Sequence, residues 1–185
     1  MQLTELAVKC ALLLLLSGAA LFFDLKTGKI PNVLLFFGLL AGCIYRIAVF
    51  GPEGILSFCA GAAFPFFVLF ILFRLGMMGA GDIKLLMAAG GLSGWPGSLR
   101  LFVLSILFGA IVSAVILTRR VRLRDRVRYF RTYAADALMN GRVSRYRMEG
   151  ERPENIHFAV PVFLAAAAEC VLELAAICRI MDMMG

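Results

Sequence analysis

Two aspartates just past hydrophobic segments have the residue type and the position to do chemistry. Asp24 ends the first apolar run and opens the stretch Asp-Leu-Lys-Thr-Gly-Lys-Ile-Pro-Asn, residues 24–32. Asp82 ends the string Gly-Ala-Gly-Asp, before another apolar run. An ionisable residue at the edge of a bilayer core indicates a functional site. If the two carboxyl groups meet, they form an acid/base pair sharing one proton, because like charges held close do not both ionise easily.

Hydrophobic helices must position these aspartates. The chain is 62% hydrophobic, with a mean hydropathy of +0.90, whereas soluble domains are about 45–50% apolar. Its 185 residues are predicted to form one membrane domain, 1–185. We predict an all-α, polytopic bundle of about six transmembrane helices. The apolar runs do not alternate, which excludes transmembrane strands. The six runs are 3–23, 31–50, 54–74, 83–96, 99–117 and 158–180.

Two of these runs are unusual. The fourth is short and contains Gly90, Gly91 and Gly94. Small residues let helix backbones approach closely, so this run is predicted to pack inside the bundle. The first run begins like a secretory signal, with Lys9 before an apolar stretch. It continues to Phe23 without a clear cleavage site, and we therefore expect it to be retained.

The positive charge predicts orientation. The net charge is +7, and 15 of the 19 lysines and arginines fall in connections 24–30, 74–84 and 118–155. Cytoplasmic connections of membrane proteins are rich in these residues. Both termini are therefore predicted outside, with Asp24 and Asp82 together on the cytoplasmic side. A charge distributed in this way does not indicate a nucleic-acid partner.

At this point the sequence resembles a known family. Phe23-Asp24 with Ile30-Pro31-Asn32, and Gly-Met-Met-Gly-Ala-Gly-Asp-Ile-Lys-Leu at 76–85, resemble the two signatures of the type IV prepilin peptidases. These are GxGD-type intramembrane aspartic peptidases related to the preflagellin peptidases. The resemblance covers residues 1–117 and resumes at Phe-Ala-Val-Pro, 158–161.

The resemblance implies a specific activity. Such an enzyme removes the short basic leader of pilin-like precursors, cutting after a glycine on the cytoplasmic face of the inner (plasma) membrane. Asp24 and Asp82 would be its catalytic dyad, one a general base on water and the other a general acid, with no cofactor or metal. Five nearby residues would support backbone and substrate: Gly79, Gly81, Lys84, Pro31 and Asn32. The two glycines would allow non-helical backbone and close substrate approach.

The same residues also fit purely structural roles. Asp82 is a plausible N-cap of the fourth helix. Asp24 is a plausible loop residue balancing Lys26, and Pro31 suits the first turn of a helix. A small ion-coupled transporter or channel that uses these membrane acids to couple ions would also fit, as would a non-catalytic component of a pilus or secretion assembly. The sequence has no convincing internal repeat of the transporter kind, and a scaffold would tolerate Asp24→Asn.

The chain departs from the larger family members, which carry a cytoplasmic zinc-binding domain with paired cysteines and methylate the new N-terminus. Here the first cytoplasmic connection has about seven residues and no Cys-x-x-Cys. The chain resembles the short peptidases of Tad/Flp pilus systems, which leaves N-methylation open. The five cysteines lie in predicted helices, and His157 has no ligand neighbour at metal-binding spacing, so no metal site is predicted.

Two further charged groups have predicted roles. The arginine-rich connection 118–155 is predicted to be an amphipathic helix on the anionic inner leaflet, a role that overlaps with a solvated topological anchor. A sharper hypothesis is that it docks the pilin or an assembly ATPase. Separately, a polar cluster is predicted in the outer half of the membrane. The alternative is that each of its side chains extends separately to the outer surface. Its members are Lys9, Arg46, Glu169 and Glu173.

Overall fold

The computed structural model describes residues 3–75, 78–120 and 157–184, with side chains described through 115 and 183 in the last two ranges. In this part of the chain there are four long helices and no strand. Each helix is long and apolar enough to cross a membrane, so the chain is a multi-pass, all-α membrane protein. The helices are α1 (Leu3–Thr27), α2 (Asn32–Arg74), α3 (Ala80–Arg120) and α4 (Ala159–Met184).

Helix α2 folds back on itself at Gly51. Arg46 Nη2 donates to Ser57 Oγ over 2.6 Å, although eleven residues of straight helix would separate them by about 16 Å. Gly51 has φ +60° and ψ −145°, a backbone conformation that side chains disfavour. Pro52 follows, at the start of the second half of the helix, where a proline is tolerated. Residues 32–50 and 52–74 are therefore antiparallel neighbours.

Helix α3 reverses in the same way at Gly94, where φ is +75°. A Cβ added to Gly90 would lie 2.5 Å from Ser98 Oγ, whereas eight residues of straight helix span about 12 Å. The two reversals divide the described chain into six helical segments. They lie close to the predicted gaps between apolar runs. That each segment crosses the membrane, giving about six spans, remains a prediction.

The first half of α3 is the centre of the bundle, as its glycines predicted. Six of its apolar side chains are almost fully buried, at no more than 5% exposure: Ile83, Leu85, Leu86, Ala88, Ala89 and Leu92. A Cβ on Gly61 of α2 would meet the Gly90 carbonyl oxygen and lie 3.0 Å from the Gly94 carbonyl carbon. Ser98 Oγ also donates to the Gly61 carbonyl at 2.7 Å. Backbone-to-backbone packing of small residues therefore joins α2 to α3.

The ends of α1 and α4 define two faces of the bundle. Asp24, near the C-terminus of α1, lies beside His157, which precedes α4. Lys9, near the start of α1, is paired with Glu173, far along α4. These two contacts are about 22–24 Å apart along the helices. The two helices are therefore antiparallel, and both described chain ends lie on the face opposite Asp24.

The predicted polar cluster exists, with one change of membership. Lys9 Nζ contacts both carboxylate oxygens of Glu173 at 2.7 Å. Arg100 of α3 takes the place predicted for Arg46, donating to Glu169 at 2.8 Å and to Glu173 at 2.7 Å. In the described residues, Arg46 hydrogen-bonds Ser57 instead. The direct ion pairs of the cluster therefore join α1, α3 and α4, and Arg46 of α2 makes none of them in the described residues.

The arginine-rich connection falls almost wholly outside the described residues, which resume at His157. Its predicted amphipathic helix and lipid contacts therefore remain predictions.

Candidate active site

Asp24 lies in the last turn of α1, because the helix continues to Thr27. The prediction that Asp24 lies in the connection 24–30 is therefore wrong. The helix stops where Gly28 adopts φ +65°, and the Gly28 N–H donates to the Asp24 carbonyl at 2.8 Å. The Asp24 side chain is only 10% exposed. Its carboxylate is therefore held on a rigid element and is largely shielded from solvent.

Asp82 lies in the first turn of α3, which begins at Ala80. It is the third residue of the helix, so its suggested role as N-cap is wrong. Gly81 is also helical, which contradicts the expectation of non-helical backbone there. Gly79 precedes the helix, and a Cβ on it would lie 3.0 Å from Asp82 Oδ2. Gly79 therefore leaves room for the carboxylate.

One cavity of about 930 Å³ brings the two aspartates together, although they are distant in sequence. Its walls come from the end of α1, the starts of α2 and α3, the second half of α3 and the start of α4. Four of the five predicted supporting residues also line it: Gly79, Gly81, Lys84 and Asn32. The side chains that line this cavity offer two carboxyl groups, two ammonium groups, an amide and the hydroxyl of Ser113.

Lys84 and Asn32 form a bridge across the cavity wall. Lys84 Nζ donates to Asn32 Oδ1 at 2.9 Å, which ties the start of α3 to the start of α2. Pro31 does not line the cavity. It occupies the N-cap position of α2, with φ −62° and ψ 130° and no capping side-chain hydrogen bond. Pro31 therefore fixes the entry into α2.

His157 is the neighbour that the sequence did not reveal. Its Nδ1 lies 3.3 Å from Asp24 Oδ2, but neither atom has a hydrogen-bond partner in the described structure. His157 is the only histidine of the chain, and its spacing from other possible ligands predicts no metal site. Its position directly before the Phe-Ala-Val-Pro string was the one available indication.

An apolar groove of about 550 Å³ adjoins the cavity. Asn32, Ala80 and Lys84 line both spaces, so the groove opens beside the aspartates. Its remaining lining is hydrophobic and comes from both halves of α2 and the first half of α3: Leu35, Phe36, Leu39, Phe66, Phe73, Ile83 and Met87.

Fold and site together define a multi-pass helical membrane protein with two carboxyl groups lining one cavity at one end of the bundle. Residues 10–114 match the model of the type IV leader peptidase family. The match covers more than half of the chain and includes both aspartates, so the chain belongs to this family. Comparison with curated proteins and with solved structures gave no match.

Proposed function

We propose that this protein is a membrane aspartic endopeptidase that removes the leader peptide from type IV pilin-like precursors, cutting after a glycine. The observation that carries the proposal is the single cavity lined by both Asp24 and Asp82. Membership of a leader peptidase family supports the reaction type. The lysine and arginine distribution supports a cytoplasmic active site in the cell membrane, with both termini outside.

The proposed reaction needs one ionised and one protonated carboxyl group. The ionised group takes a proton from water, the resulting hydroxide bonds to the scissile carbonyl carbon, and the other carboxyl protonates the carbonyl oxygen. In the second half, the first carboxyl returns its proton to the amide nitrogen. The second takes a proton back from the diol as the C–N bond breaks. Both carboxyl groups end as they began, and no covalent intermediate forms.

The surroundings of Asp24 and Asp82 fit a substrate that is extended at the cleaved bond and hydrophobic after it. The cavity would hold the extended residues around the cleaved bond. The apolar groove that shares Asn32, Ala80 and Lys84 with it would receive the hydrophobic segment that follows the cut. Apolar side chains line most of the groove, so a hydrophobic segment is favoured there over water.

The test is leader removal from a co-expressed candidate precursor, followed on a gel. Asp24→Asn and Asp82→Asn should each reduce cleavage by at least 10²-fold, since each removes a proton donor or acceptor. Asp182→Asn near the opposite end of α4 is a matched control and should cleave like wild type. Membrane levels of all variants are compared by blotting. Normal cleavage by either site variant would reject the aspartic pair and favour a scaffold or transporter.

A further inference from the structure

The contact between His157 and Asp24 is not used by the proposed reaction. The two side chains approach to 3.3 Å, and their exposures are 31% and 10%. Both approaching atoms, Nδ1 and Oδ2, are buried without a hydrogen-bond partner. Buried polar atoms are normally paired, and here each is the other's available partner. A hydrogen bond between them requires one side chain to reorient.

The backbone holds His157 in this place. Its carbonyl accepts from the Val160 N–H at 3.1 Å, which ties His157 to the start of α4. Phe158 lines the cavity and packs against Gly109, where an added Cβ would lie 3.4 Å from Phe158 Cε2. His157 lies outside the residues that match the family, 10–114. The family match therefore assigns it no role.

In the described part of the chain, the other charged groups around the cavity do not provide ionised Asp24 with a paired cation. Asp24 comes from α1, Lys29 from the following connection, and Asp82 and Lys84 from α3. Lys84 is engaged with Asn32, the only polar side chain that α2 contributes to the lining. The imidazole of His157 is the group in ion-pairing range of Asp24 in the described residues.

We propose that His157 is a positioning residue that donates from Nδ1 to Asp24 Oδ2 and keeps Asp24 ionised, which makes Asp24 the general base and leaves the shared proton on Asp82. The inference rests on the proposed aspartic mechanism. A hydrogen bond to the charged form of a carboxyl favours that form, and a protonated imidazole adds an opposite charge. Two neighbouring carboxyl groups do not both ionise easily. The one that accepts the hydrogen bond from His157, Asp24, is therefore the one that ionises.

The kinetic test uses the full-length protein in lipid vesicles with a cleavable precursor. His157→Ala should lower kcat about tenfold with little change in KM, because Asp24 loses the donor that orients its carboxylate. His157→Asn can place an amide N–H near the Nδ1 position and should recover to within about threefold of wild type. His157→Gln, which resembles the Nε2 side, should not.

The outcomes separate this inference from the proposed function. If His157→Ala matches wild type in kcat while Asp24→Asn abolishes cleavage, the positioning role is wrong and the aspartic pair stands. Equal activity of the Asn and Ala variants would also overturn the donor role. Cleavage by Asp24→Asn or Asp82→Asn would overturn both ideas.

A second measurement needs no activity. Since the chain has one histidine, ¹⁵N-histidine labelling with a purification tag other than polyhistidine gives imidazole signals from His157 alone. At a pH where the ring is neutral, wild type and Asp82→Asn should carry the proton on Nδ1. Asp24→Asn should shift the tautomer toward Nε2, because Asp24 no longer selects the Nδ1 form. An Nε2–H tautomer in wild type would refute the inference whatever the kinetics.

Discussion

The carboxylate of Asp82 has backbone close on one side, since a Cβ on Gly79 would lie 3.0 Å from Oδ2. The corresponding Cβ on Gly81 would make only an ordinary contact, 3.6 Å from Ile30 Cβ. We therefore expect Gly79→Ala to lower cleavage about tenfold by displacing the carboxylate, and Gly81→Ala to stay within about threefold of wild type. Precursor cleavage rates at equal protein level measure both effects.

The thermal midpoint in detergent separates activity from folding in this pair. Gly79 stands outside α3 in an exposed position, so its alanine variant should unfold within about 2 °C of wild type, as surface changes usually do. Equal loss of cleavage in both variants would show that the close approach to Asp82 is not what Gly79 provides.

The sequence located Asp24 and Asp82 because charge is rare next to long apolar runs and therefore stands out. It did not place His157 or Arg100 in their clusters. Each lies far along the chain from its partner, with 133 and 69 positions separating His157 from Asp24 and Arg100 from Glu169. The partners are not three or four positions apart on one helix, so no local sequence pattern reveals them. Only the packing of α1, α3 and α4 brings these groups together. The catalytic roles themselves remain predictions.

Helices α2 and α3 interlock through glycines at their closest crossing. A Cβ on Gly61 would meet the Gly90 carbonyl oxygen, which is backbone and cannot rotate away. We expect Gly61→Ala to destabilise the protein by about 2 kcal/mol or more, as overpacking does. Gly18→Ala is the matched control, because its Cβ would lie 3.5 Å from Phe163 in a helical site. It should be neutral or slightly stabilising.

Thermal unfolding of purified protein in one detergent measures this pair. A Gly61→Ala variant as stable as Gly18→Ala would mean that the two helices can separate without cost. The close crossing of α2 and α3 would then not determine the stability of the bundle.

Hydropathy predicted the helical segments well and their ends less well. The first apolar run stops at Phe23, but the helix continues to Thr27 because Lys26 and Thr27 are compatible with helix and Gly28 is the first residue to adopt positive φ. Likewise, the helix at Asp82 begins at Ala80, before the apolar run. An apolar run marks the residues that lipid or the protein core surrounds. The ends of a helix are set instead by backbone conformation.

The molecule has polar groups at two opposite ends, and α1 and α4 connect them. At one end Asp24 meets His157, and at the other Lys9 meets Glu173. Polar contacts at a fixed separation on two helices specify their register, because a shift by one turn would break both contacts at once. The ion-pair cluster therefore helps to place the start of α4 beside Asp24.

Breaking one member of the cluster tests this role. The Lys9 side chain is 5% exposed and that of Glu173 16%, so Lys9→Met would leave a largely buried carboxylate with Arg100 as its remaining partner. We expect a loss of about 3 kcal/mol in unfolding free energy, measured by thermal melting in detergent. Cleavage below the melting range should be retained, because Arg100 still binds Glu173 and keeps α4 in place.

The double variant Lys9→Met with Glu173→Gln removes both partners and leaves the Arg100–Glu169 pair in place. It should recover most of the lost stability, because the penalty of the single variant arises from an uncompensated buried charge and not from missing volume. A double variant less stable than Lys9→Met would mean that Glu173 contributes chiefly through Arg100. The register of α1 against α4 would then depend on apolar packing, and the two polar ends of the molecule would be independent of each other.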